Sequence, residues 1–522
     1  MHTRKKTVLA LGTLAVALAC NDKQFLTEQP FDFIGPSNFY RNAGDAVAAV
    51  NGVYADFVNS TGDNYYGRNF VMLVEFPTEM WTTRLGATNE RAQPDVYAIP
   101  VSHAYTQAIW QSAYDAVNRA NAVLDHVPQI QMDSTLKARV IGEAKFLRAT
   151  HYFNLVRLWG GVPLKLHETQ GLDSLQLPRN TAAEVYAQIE LDLKDAIAVL
   201  PPAKSLTGSD YGRASRGAAK TLLAKVYLQR AGTGVGTAAD WGSALTYAKQ
   251  VQSDGDYQLV SDYKSLFDFF GGTVNERNSE VIFTIQNIRA PGLGGRISSH
   301  MAANGTTPNL GAVTNGSFEA ESIWYHTFLP NDKRRDGTFI LSWNKAGTTV
   351  TWDETKTASQ PYASETPFPR KFLDLQMTQT GAEEPDYIVL RYAEVLLMIA
   401  EAANEVGGGP TPEAYAAVNA IRSRAGIPNM TPGLSHDLFR DSVFNERRWE
   451  LALEGPNGYF DSQRNWNWAK ARVEESMKRF KTSSSSKFPK ANNTPIPDKY
   501  KLMPIPQRAI DLNKLLQQNP GW

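Results

Sequence analysis

The stretch IVLRYAEVLLMIAEAANEVGGGPTPEAYAAVNAIRSRAGIP, Ile388 to Pro428, followed after a gap by FNERRWELALEGPNGYFD, Phe444 to Asp461, decides the fold. On a helical wheel Tyr392, Val395, Leu396, Ile399, Ala403 and Val406 fall on one face, and Glu394, Glu401 and Glu405 on the opposite one. A wide apolar stripe of that period marks an amphipathic helix whose glutamates are expected in solvent. Gly407, Gly408 and Gly409 end it, because glycine readily takes the left-handed conformation of a helix C-terminus. Thr411 suits an N-cap and Pro412 the first helical position. The next helix turns Ala414, Val418, Ile421 and Ala425 inward until Gly426 and Pro428 stop it. Two such helices joined by a short glycine-rich turn form an antiparallel hairpin, each burying the other's stripe.

Outward from this hairpin, further amphipathic stretches run from Asn38 to Asn59, Ala104 to Val127, Ser134 to Leu158, Thr181 to Leu200, Arg216 to Ala231 and Asp240 to Val251. Their spacing is that of tetratricopeptide-like helix pairs with a degenerate repeat. The expected fold is mostly α. A discontinuous scaffold over about 38–270 and 387–465 stacks as one unit. A loop-rich lobe over about 271–386 and 466–522 carries a few short strands, the clearest being Glu280 to Gln286, EVIFTIQ. Long irregular stretches of this kind tend to carry function.

The first nineteen residues read as a signal peptide, leaving 20–522 as the mature chain. Arg4, Lys5 and Lys6 form a basic start, and Val8 to Ala19 an apolar stretch shorter than the ~20 residues a bilayer span needs. Ala17-Leu18-Ala19-Cys20 resembles a lipobox, in which the cysteine is lipidated. Cys20 is the only cysteine among 522 residues, so no intramolecular disulfide can form. The expected protein is anchored to a membrane by lipid and does not span it. Lys+Arg and Asp+Glu both number 53. That balance argues against nucleic acid as partner, since phosphate neutralisation carries such binding.

Three segments resemble the RagB/SusD family of nutrient-uptake lipoproteins: the RYAEVLLMIAEAANEV helix, the AYAAVNAIRSRAGIP helix and ERRWELALEGPNGYFDSQRNW. EAKFLRATHYFNLVRLWGGVPL from Glu143, NDKRRDGTF from Asn331 and LMPIPQRAIDLNKLLQQNPGW at the end extend the resemblance in the family's order. One departure stands out. Pro456-Asn457-Gly458 precedes Tyr459-Phe460-Asp461, and Ser462 stands where the family usually has leucine. The resemblance implies an SusD-like α-α superhelix. It also implies a lipoprotein of the cell outer membrane, exposed at the surface, with a SusC-like TonB-dependent transporter as partner.

No enzyme signature is present. The chain lacks a Gly-Lys dipeptide, a G-x-S-x-G elbow and an H-E-x-x-H pair, and its eight histidines never fall three or four apart. No catalytic residue, cofactor or metal site is assigned. Glu446, Arg447, Arg448, Glu450 and Glu454 read instead as a charged girdle in which Arg447 reaches Glu450 at i+3.

The positive signal is aromatic. Sugars lay apolar ring faces on aromatic rings while polar side chains take the hydroxyls. Trp81, Trp324, Tyr325, Trp343 and Trp352 sit in irregular stretches, where exposure is expected, and are the candidate ligand-binding residues. Trp110, Trp159, Trp241 and Trp449 sit on helices and are expected in the core. The expected function is non-catalytic capture of an oligosaccharide and its delivery to the transporter. A peptide-binding relative and a protein-binding helical scaffold remain as alternatives.

Overall fold

In the computed structural model, the described residues are 39–58, 65–83, 89–171, 175–267, 278–301, 303, 316–345, 348–353, 367–377, 379–455, 457–481 and 495–522. The signal stretch and Cys20 lie outside them. Asn42–Trp522 forms one compact unit, described here by itself.

Among the described residues, seven helices of seven residues or more precede the irregular lobe: α1 (Ala43–Ala55), α2 (Asn69–Glu75), α3 (Ala104–His126), α4 (Ser134–Trp159), α5 (Ala182–Val199), α6 (Arg216–Gly232) and α7 (Ala239–Asp254). Five more of that length come after residue 386: α8 (Tyr392–Gly407), α9 (Pro412–Ala425), α10 (His436–Leu451), α11 (Gly458–Arg464) and α12 (Trp466–Lys481). From α3 to α9 each of these helices packs on the next. The stack crosses the lobe without a break, because α7 lies directly against α8. The two halves of the scaffold are therefore one solenoid-like layer.

Local chemistry sets the helix ends. At α5, the Thr181 hydroxyl accepts from the Glu184 N–H at 3.2 Å, and the Glu184 carboxylate accepts from the Thr181 N–H at 2.7 Å. That reciprocal capping box satisfies two donors with no partner inside the helix. Thr411 caps α9 through the Ala414 N–H at 3.1 Å. Gly408 at φ 63° and Gly426 at φ 75° close α8 and α9 in the left-handed region, as their sequence positions suggest.

Eight short strands occur among the described residues, six of them within 271–386. They are β1 (Trp81–Thr82), β2 (Val281–Ile285), β3 (Glu319–Ala320), β4 (Phe339–Ile340), β5 (Ser342–Lys345), β6 (Thr348–Thr351), β7 (Phe368–Pro369) and β8 (Tyr387–Arg391). They form four two-stranded antiparallel pairs: β1–β3, β2–β8, β4–β7 and β5–β6. β8 runs straight into α8 at Arg391, so the lobe's best strand pair is fixed to the scaffold.

One sequence expectation fails on α8. Val395, Leu396, Ile399 and Ala403 are buried as predicted, but so are Glu394 and Glu401, each 1% exposed, while Val406 is 54% exposed. The glutamates face partner cations. Glu401 receives Arg464, Glu394 receives Lys225 at 2.9 Å and Arg447 at 3.2 Å, and Arg447 also pairs with Asp461 at 2.8 Å. The i+3 contact expected from Arg447 to Glu450 is replaced by these long-range pairs. Glu450 instead meets Arg391, Arg424 and Arg334. Arg391 also reaches Glu280 at 2.7 Å, and Lys371 reaches Glu454 at 2.6 Å. Burial alone would raise the Glu450 carboxyl, but Arg424, Arg391 and Arg334 outweigh it and hold it far below the usual carboxylate range. A charged layer thus ties the lobe (Glu280, Arg334, Lys371) to α8, α9 and α10. Breaking one partner of such a buried pair leaves the other uncompensated.

Of the departure at Pro456-Asn457-Gly458, Asn457 and Gly458 stand at the start of α11, and Pro456 lies outside the described residues. The Gly458 N–H points at Glu75, 3.3 Å from its carboxylate. Ser462 accepts from Arg448 at 3.3 Å and donates to the Gly458 carbonyl at 2.9 Å.

Candidate functional site

Most of the aromatic candidates gather in one place. Trp81 pairs with Ala320 across β1–β3 and stacks edge-on against Trp324, centroids 4.9 Å apart. Trp324 lies 5.1 Å from Phe339, which lies 5.0 Å from Tyr325, and Tyr325 meets Trp352 at 4.6 Å. Arg335 stacks 4.7 Å over Tyr325 and bonds its hydroxyl. Trp343, on β5, packs instead on Phe368 at 5.0 Å.

Their exposure is not what the sequence suggested. Trp81, Trp324, Tyr325, Trp343 and Trp352 are 0, 2, 2, 5 and 6% exposed. The short strand pairs fold the loops back over these rings, so they form a satellite core. Tyr65, Tyr66 and Tyr97 are buried as well, and Asn154 donates to the first two at 2.7 and 2.8 Å. Of the helical tryptophans, Trp159 is fully buried, donating its indole N–H to the Pro504 carbonyl at 2.8 Å, while Trp110 and Trp241 are half-buried.

The outer edge of the aromatic cluster opens on a pocket of about 420 Å³ between the 323–327 segment, α10 and α12. That size suits a small-ligand cleft. Trp324 forms one wall, and half-buried Trp449 and Trp468 form others. Trp449, expected in the core, stands at the cleft instead, with Trp468 beside it. Their helical spacing carried a signal all the same. Asn445, Arg448 and Trp449 share one face of α10, away from Phe439 and Val443, and Trp468, Arg472 and Glu475 share one face of α12. These are i, i+3, i+4 and i, i+4, i+7 patterns made of aromatic and polar side chains, unlike a core stripe.

The polar geometry around the pocket is specific. Trp449 donates its indole N–H to the Thr327 hydroxyl at 2.9 Å, and Thr327 donates to the Trp324 carbonyl at 2.6 Å. Arg448 is buried and ion-pairs with Glu79. The Arg448 and Arg472 guanidiniums both stack 4.3 Å from the Trp468 ring centre. Trp468 is thus a platform for cations, and Trp449 is the half-exposed ring with a face to offer. Burial lowers the Arg472 pKa first of all; Glu79 pulls it back up and Arg448 pushes it down.

A second cleft of about 410 Å³ lies between α1, the 209–213 turn and β2, lined by Tyr54, Phe57, Tyr211, Arg213, Gln286 and Leu293. Its wall holds no tryptophan, and its cation is spoken for: Arg213 donates to Glu143 at 2.9 Å, Asp210 at 3.0 Å and Asn51 at 2.9 Å.

Scaffold, lobe and cleft together define a mostly helical protein with an aromatic cleft between two helices and the lobe. The chain is similar to the SusD family over two stretches that together span most of its length. The sequence profile described as "SusD family" matches residues 284–522, and a second, "Starch-binding associating with outer membrane", matches 45–228. The chain is similar to SusD-like protein P2 of Formosa agariphila, 26% identical over 482 residues covering 87% of this chain and 90% of that one. It resembles the starch-binding protein SusD of Bacteroides thetaiotaomicron, 27% identical over 211 residues, 40% of this chain and 35% of that one. A solved SusD homologue from Bacteroides thetaiotaomicron superposes with a TM-score of 0.80 at 26% identity, covering 93% of this chain and 98% of that chain.

Proposed function

We propose that the protein captures an oligosaccharide at the outer membrane surface without catalysing its cleavage. In this reading it is anchored through Cys20 and hands its ligand to a SusC-like TonB-dependent transporter. The observation that carries it is the cleft bordered by Trp324, Trp449 and Trp468, with the hydrogen-bonding groups of Asn445, Thr327 and Arg472 around it. Aromatic faces beside polar side chains are what a sugar ring requires. The family profile's starch-binding description and the starch-binding relative point to the same ligand class. Trp81, Tyr325 and Trp352 enter as the wall behind the cleft, which fixes Trp324 for the ligand, while Trp343 packs apart on Phe368. Glu79 is committed to Arg448, which suits recognition better than acid–base work. Residence beside a transporter raises local ligand concentration even at modest affinity. A glycan array run beside a peptide library on the mature protein, followed by titration calorimetry of the hits, tests the reading. Glycan hits that Trp449→Ala weakens support it; peptide hits alone overturn it.

A further inference from the structure

The donors around the Trp449 cleft outnumber the acceptors left for them. Arg448 spends Nε and Nη2 on Glu79 and Ser462, which leaves its buried Nη1 with no hydrogen-bond partner among the described residues. The Trp324 indole N–H, on another wall of the cleft, is likewise buried without a partner among them. Arg472 stacks on Trp468 beside Arg448, and no carboxylate ion-pairs with it among the described residues. Of the two carboxylates at the cleft, Glu79 is occupied by Arg448, and Glu475 is exposed and has an interaction of its own. The second cleft shows the contrast, since every nitrogen of the Arg213 guanidinium there already has an acceptor.

We infer that the Trp449 cleft selects an anionic glycan, whose carboxylate or sulfate group lies against the Arg472 and Arg448 guanidiniums while a sugar ring face lies on Trp449. The inference rests on the glycan-capture reading and narrows it. An unpaired guanidinium in a partly desolvated cleft favours an anion, and charge-assisted bonds to it are stronger than bonds to a neutral hydroxyl. The planar fork suits a carboxylate or a sulfate ester, which present two oxygens at matching spacing. A neutral glycan would satisfy the Trp449 face but bring no charge to Arg472 or to the open Nη1 of Arg448. The burial-driven depression of Arg472 accords with a cation short of compensating charge.

Calorimetric titration with galacturonate oligosaccharides and their methyl esters, and with sulfated carrageenan oligosaccharides and their desulfated forms, tests this directly. Each pair keeps its rings and changes only the charge. At least one acidic probe should bind about tenfold or more tighter than its neutral counterpart, and the gap should narrow as salt rises. Whichever acidic probe wins identifies carboxylate or sulfate as the recognised group. Arg472→Gln should close the gap, and Arg472→Lys, which keeps charge without the fork, should close it partway. Melting curves on both variants report whether they fold. Equal affinity within both pairs, a gap that survives in folded Arg472→Gln, or no binding of either acidic probe overturns the inference. Neutral glycans bound through Trp449 with no acidic preference would remove this inference alone. An empty glycan array would remove the capture reading with it.

Discussion

Arg464 and Glu401 meet side-on, with Nε at 3.0 Å and Nη2 at 2.9 Å from the two carboxylate oxygens, and both side chains are buried. This bidentate pair pins α11 to α8. A position that reads as solvent-facing on a helical wheel is thereby one of the most committed in the scaffold.

Glu401→Ala should cost ~2 to 3 kcal/mol, because buried Arg464 loses its bidentate partner and keeps only Asp461, at 2.8 Å. Leu396→Ala, a plain cavity, should cost ~2 to 5 kcal/mol. Val406→Ala, at an exposed site, should stay within about half a kcal/mol. Urea unfolding of the three variants checks this. A Glu401→Ala protein as stable as the parent would show the ion pair to be dispensable.

Trp449 and Trp81 should separate binding from stability. Trp449→Ala should weaken oligosaccharide binding by ~1 to 3 kcal/mol with little change in melting, since its ring is half-buried at the cleft. Trp81→Ala should cost ~3 to 5 kcal/mol of stability, because its ring is fully buried against Trp324. Paired calorimetry and melting curves decide, and a reversal of the two patterns would move the site back to the loops.

Glu75 gives the fold a pH dependence. Burial raises its carboxyl from 4.5 to about 8, against the pull of the Gly458 and Leu453 N–H groups. The folded state therefore keeps a proton that the unfolded chain releases above pH 4.5. The associated stability is complete below pH 4.5 and is lost as pH rises through about 8. Glu75→Gln, which keeps a neutral hydrogen-bonding group, should gain on the parent by a few kcal/mol across that window. Parallel stability–pH curves for the two proteins would show that Glu75 titrates normally.

Cys20 carries the anchoring proposal. Cys20→Ala should release the mature protein from membranes or leave the precursor uncleaved. Fractionation and intact mass measure both, and neither should change if the cysteine is not lipidated.

Much of the scaffold was legible in sequence because its helices bury aliphatic stripes. α3, α4, α5 and α9 begin and end within a residue or two of where periodicity and capping place them. The charged layer was not legible. A glutamate such as Glu401 looks solvent-bound until its partner Arg464 is known, and nothing in local spacing announces a pair that distant. The aromatic residues at the cleft were half legible. Trp81, Trp324, Tyr325 and Trp352 do cluster, but strand pairings too short to predict turned them inward. Trp449 was misplaced because a helix was equated with a core. Its place away from Phe439 and Val443 was the better guide.

The contact of α7 with α8 imposes an order of assembly on the chain. α7 is complete at Asp254, yet the neighbour that covers it begins only at Tyr392. A nascent or partly exported chain that has not reached α8 carries an uncovered helix flank, with Glu280 and Lys371 awaiting counter-charges not yet delivered. Closing so long a span adds little to its entropic cost, which grows only with the logarithm of length, but contacts this distant in sequence form late. Refolding should therefore be biphasic. In pulse-labelled hydrogen exchange, amides of α4 should gain protection before those of α7, and simultaneous protection would argue against a late docking step. Until α8 docks, that flank is a surface a chaperone can hold.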